Sequence, residues 1–102
     1  MTNRVKLQEE LEKILGNRNV YYQPPETLKI DYPCIVYELR RKTSMKADNR
    51  KYLFNTAYMI TYISKKSNDE IIEKLLNSFE YSSHDRRYIT DGLYHNTFTI
   101  YY

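Results

Sequence analysis

Glycine is almost missing from this 102-residue chain, in which Gly16 and Gly92 are the only 2. A loop that cradles phosphate needs several glycines where backbone amides approach the ligand, so nucleotide binding by that route is excluded. Cysteine is scarcer still. Cys34 stands alone, so no intramolecular disulfide can form and a reducing compartment is expected. Its neighbours Pro33, Ile35 and Val36 suit a small buried hydrophobe and lack the electropositive setting that activates a thiol. No apolar run approaches the roughly 18 residues of a membrane helix, and the opening positions read as charged helix without the apolar heart of a signal peptide. Neither membrane spanning nor secretion is expected. A net charge of +3 and a pI near 8.9 are mildly basic, far from the dense Lys/Arg stripe of a phosphate-backbone binder.

What is present is globular. Hydrophobic residues make up 41% and charged residues 28%, which excludes wholesale disorder, and 12.4 kDa fits one domain over residues 1–102. Tyrosine is the excess: 12 Tyr against 3 Phe and no Trp. Most aromatic mass therefore carries a hydroxyl, a combination suited to half-buried sheet faces and to protein interfaces.

From Asn3 to Leu15, Leu7, Leu11, Ile14 and Leu15 recur on one helical face, with Lys6, Glu9, Glu10, Glu12 and Lys13 opposite. Thr2 or Asn3 is placed to cap the start, and Gly16 to end the helix in the left-handed conformation. Val20 to Tyr22 is a short extended piece, followed by a connector stiffened by Pro24 and Pro25. A strand is expected over Cys34 to Arg41, beginning at or just after Pro33. Thr43 to Arg50 is aperiodic and polar, an exposed loop. Lys51 to Ile63 is a strand with Tyr52, Phe54, Thr56, Tyr58, Ile60 and Tyr62 on one side and Leu53, Ala57, Met59 and Ile63 on the other, which implies cover on both sides. Ser67 to Glu70 has the form of a capping box, and Ile71, Ile72, Leu75, Leu76 and Phe79 make one helical stripe after it. Tyr81 to Thr90 and Leu93 to Tyr102 flank Asp91-Gly92, a strong hairpin signal. The order α-β-β-α-β-β predicts an α+β fold: one mainly antiparallel four-stranded sheet with two helices packed on one face. The other face, populated by Tyr and Thr, is then left for a neighbouring subunit.

Candidate chemistry is sparse. His84 and His95, the only 2 histidines, sit in strands without a second ligand at metal spacing, so no metal and no cofactor is expected. In His84-Asp85, adjacent strand residues point to opposite faces and make a poor dyad. Glu9, Glu10, Glu12, Glu73, Asp48, Asp69 and Asp91 are scattered among helix surfaces and turns without pairing, so no enzyme is expected. The one concentration of charge is Arg40, Arg41, Lys42, Lys46, Arg50 and Lys51 around the loop, with Asp48 the only acid and Tyr52 and Phe54 close behind. Two readings of it stand: a solvated loop, or a contact with an acidic subunit surface or with DNA.

Several segments, in this order and spacing, carry a resemblance: Val20 to Glu26 (VYYQPPE), Tyr32 to Tyr37 (YPCIVY), Lys51-Tyr52, Tyr58 to Tyr62 (YMITY), and Asp91 to Tyr102 (DGLYHNTFTIYY). The chain resembles the small tail-terminator, or tail-completion, neck proteins of long-tailed bacteriophages. That resemblance implies a non-enzymatic virion subunit, assembled in the host cytoplasm. It forms a homo-oligomeric, usually hexameric ring that caps the tail tube protein and meets the head-side connector or stopper, with DNA passing through the lumen without specific binding. Residues expected to touch partners are Arg41, Lys42, Lys46, Arg50, Lys51, Tyr52, Tyr101 and Tyr102. A head-tail adaptor or stopper, or a small nucleic-acid-binding module, is the alternative.

Overall fold

The computed structural model describes residues 3–42, 56–66 and 69–102. Helix α1 (Asn3–Leu15) carries the expected stripe inward, with Leu7, Leu11 and Leu15 buried. It ends where Gly16, at φ 86°, donates its amide to the Glu12 carbonyl at 2.9 Å. Thr2 lies outside the described residues, and Asn3 is the first helical residue.

The short piece Val20–Tyr22 is a full member of the sheet, β1, which corrects the expected strand count. Among the described residues five strands lie in the order β1-β2-β3-β5-β4, where β2 is Cys34–Lys42, β3 Thr56–Ser64, β4 Tyr81–Thr90 and β5 Leu93–Tyr101. Strand β1 runs parallel to β2, pairing Val20 with Ile35, Tyr21 with Val36 and Tyr22 with Tyr37, and every other pairing is antiparallel. The sheet is therefore mixed. Three residues are too few for a periodicity signal, so pattern alone underweights such a strand. A proline-rich crossover then returns the chain to begin β2 alongside it, with the Ile35 amide on the Asn19 carbonyl and the Gln23 amide on the Tyr37 carbonyl, both at 2.9 Å.

Register sorts the side chains. Directly paired residues share a face, so Ile35, Tyr62 and Asn96 form one row, Tyr37, Ile60 and Phe98 the next, and Leu39, Tyr58 and Ile100 a third. Against these rows pack α1 and α2 (Asp69–Ser78), the latter through Ile71 and Leu75 and through Phe79 just past its end. Ser67 and Asn68, the start of the expected capping box, lie outside the described residues, as do residues 51–55 at the expected opening of β3. Asp91 at φ 53° and Gly92 at φ 73° join β4 to β5 with the doubly left-handed backbone that a two-residue hairpin needs.

Candidate interaction surface

The opposite sheet face is built from the alternate residues. Its rows are Cys34, Ile63, His95 and Tyr88; Val36, Thr61, Thr97 and Arg86; Glu38, Met59, Thr99 and Ser83. Beyond them lie Ala57, Tyr101 and Tyr81. Neither helix packs here, and Val36, Met59, Thr61, Ile63, Thr97, Thr99 and Tyr101 are all half-buried. The threonines are where the sequence placed them. Much of the tyrosine is not: Tyr22, Tyr37, Tyr58, Tyr62 and Tyr102 belong to the helix-covered core, so the expectation of a tyrosine-dense open face is corrected to a Thr and Met/Ile/Val face with tyrosine at its margins. The reason is volume. Tyrosine rings fill the gap between a sheet and helices that offer mostly leucine and isoleucine, and their hydroxyls reach polar partners at the layer's edge.

Tyr37 shows the device. Its side chain is 0% exposed, yet its hydroxyl donates to Gln8 Oε1 at 2.5 Å and lies 3.5 Å from the Arg4 guanidinium. Gln8 in turn donates to the Val20 carbonyl at 2.9 Å, and Arg4 lies 4.6 Å from the Tyr22 ring centroid. Burial pushes the Tyr37 hydroxyl above its ordinary pKa, with Arg4 partly opposing. Helix α1 is thus pinned to β1 and β2 through a polar cluster.

His84, His95 and Cys34 are held in contacts within the sheet. His84 Nε2 meets Oδ1 of the buried Asn96 at 3.0 Å, and its ring stands edge-on to Phe98 at 5.0 Å. A register irregularity at His84 to Arg86 separates it from Asp85, whose carboxylate accepts from Ser83 at 2.8 Å and Thr99 at 2.5 Å on the open face. His95 stacks on Tyr88 at 4.8 Å. Cys34 is fully buried, and desolvation pushes its thiol up to about 12. Among the described residues no cluster of His, Cys, Asp or Glu has the makings of a metal site, and no helix is long and apolar enough to cross a membrane.

Of the expected contact residues, Tyr101 lies on the open face and lines a shallow cavity with Glu38, Leu39, Arg40, Ala57 and Thr99. Tyr102 turns the other way, against Phe79 at 5.9 Å. Burial first, and then the Glu10 carboxylate, hold its hydroxyl above the usual range. It is a packing residue, not part of the same patch. Arg41 and Lys42 end β2, while Lys46, Arg50, Lys51 and Tyr52 lie outside the described residues. The sequence did not single out the open-face group Val36, Met59 and Ile63. The only available signal was the two-sided apolarity of the strand that carries Met59 and Ile63. Set against protein-family models, curated proteins and solved structures, the chain finds no match in any of the three comparisons.

Proposed function

We propose that this chain is a structural subunit that works as one copy in a ring, of the kind that caps a phage tail tube and receives the head-side connector. The observation that carries this reading is the one-sided fold. Two helices cover one face of the sheet, and the other keeps Val36, Met59, Ile63 and Tyr101 half in water. A mixed row of Thr, Met, Ile and Tyr is the composition of a protein contact surface. The link to a phage tail rests on the segment resemblance described above and on this face.

The test is the native mass of the purified protein, alone and with tail tube protein, by analytical ultracentrifugation. A defined multiple of 12.4 kDa is expected in at least one condition. Met59→Lys with Ile63→Lys, on half-exposed positions, should break the open-face contact and lower that multiple without loss of fold. A wild-type chain that stays monomeric in both conditions would overturn the ring. An affinity for duplex DNA that falls steeply with salt would instead favour the nucleic-acid-binding reading.

A further inference from the structure

The hairpin end of the sheet holds two features that fit one another. One is the tip. Ile89, at 63% exposure, is the most exposed large hydrophobic residue described, and Asp91 follows it at the turn. The other is a cavity of about 290 Å³ lined by Tyr32, Pro33, Tyr62, Ser64, Lys65 and Lys66. Its walls are apolar and two exposed lysines stand at its rim. An apolar plug beside a carboxylate is thus matched by an apolar socket beside two ammonium groups.

Their spacing gives the match its symmetry. Ser64 pairs with Tyr94, and Tyr94 with Ile89, so the three stand in line across β3, β5 and β4 on the same side of the sheet. With neighbouring strands about 4.8 Å apart, plug and socket lie roughly 10 Å from each other. A chain cannot seat its own plug at that offset, because the sheet holds both rigidly in one plane. A second copy can. Rotation by a half turn about an axis lying in the contact plane, midway between the two features, places each plug over the other copy's socket.

We infer that the Ile89–Asp91 tip of one copy docks into the Tyr32/Pro33/Tyr62 cavity of a second copy, with Asp91 facing Lys65 and Lys66. The inference rests on the reading that copies of this chain associate, and adds a second contact, two-fold and on the helix-bearing side of the sheet, to the one proposed for the open face. Strand-edge pairing is the weaker alternative at this site. The centre of β4 carries the register irregularity and the run His84, Asp85, Arg86, Arg87, which bring twist and like charges to any β4-to-β4 ladder. In a ring, a two-fold contact of this type would join subunits in pairs or set two rings end to end.

Charge exchange tests it on the full chain by sedimentation. Ile89→Ser should weaken self-association by about tenfold or more, the order expected for losing one buried isoleucine contact. Asp91→Lys alone and Lys65→Glu/Lys66→Glu alone should each dissociate the pair, and an equimolar mixture of the two should recover it, since every tip then meets an oppositely charged rim. Strain that lysine brings to the turn is present in the single variant and in the mixture alike, so recovery reads charge pairing. Raised salt should blunt both the loss and the recovery. Wild-type association that these variants leave untouched, or single losses that mixing does not repair, overturns the tip contact and leaves the ring standing. A wild type that never associates overturns both.

Discussion

Replacing Tyr37 by phenylalanine removes a single oxygen atom, and the structure says what that atom does. The ring stays buried against Tyr22 at 4.9 Å and Tyr58 at 6.1 Å, so packing is conserved. The loss is the hydroxyl's bond to Gln8 and its contact with Arg4. An intramolecular hydrogen bond contributes about 0.5 to 1.5 kcal/mol net, and leaving its partner buried and unsatisfied costs more. Gln8 is half-buried and also bonded to Glu12 and Val20, so water reaches part of what is lost. The expected destabilisation is about 1 to 1.5 kcal/mol, far below the roughly 3 to 5 kcal/mol of removing a whole aromatic side chain from a core. In a domain of this size that lowers Tm by about 4 to 10 °C. Thermal and urea unfolding followed by circular dichroism measures it. The companion variant Gln8→Ala supplies the coupling: if hydroxyl and amide act as a unit, Tyr37→Phe on that background costs less than about 0.5 kcal/mol. A Tyr37→Phe protein as stable as wild type, or a pair of substitutions whose costs simply add, would refute the view that this cluster fastens α1 to β1 and β2.

Other outcomes follow from the same geometry. Cys34 should resist thiol reagents in the folded chain and react only on unfolding, because burial both shields it and raises its pKa from 9.0 to about 12; prompt labelling of native protein would contradict this. Stability should fall in alkali. The hydroxyls of Tyr37, Tyr58 and Tyr102 are all held above the ordinary value of 10.0, so from about that pH upward the unfolded chain releases protons the folded one keeps, and Tyr37→Phe should flatten part of the decline in urea midpoint. Gly92→Ala should cost about 1 to 2 kcal/mol at φ 73°, with Gly92→Asn cheaper, as read by urea unfolding; equal costs would argue against a doubly left-handed turn.

The helices and the hairpin were legible because each carries its own local signal. Leu7, Leu11 and Leu15 mark one helix face, Gly16 its end, and Asp91-Gly92 a turn that few other dipeptides make. What escaped is non-local. The parallel partnership of Val20–Tyr22 with Ile35–Tyr37 depends on where a crossover brings the chain back, which composition cannot encode. Alternation already puts Tyr101 and Tyr102 on opposite sides of the sheet, but which side the helices take is a packing outcome that alternation does not carry. A sheet face without helices is legible from the element order, since two helices packed on one side leave the other bare.

The two margins of this sheet are both poor templates. On one, β1 offers only three residues; Val20 already gives its carbonyl to Gln8, and the Gln23 side chain accepts the Leu39 amide at 3.1 Å just past the strand's end. On the other, β4 is long but bent at Asp85 and crowded with charge. Runaway fibre growth, in which each arriving molecule extends a common ladder, therefore has nowhere to start among the described residues. Under the proposed assembly copies join side chain to side chain, and such a particle can come apart and reassemble without melting a single strand.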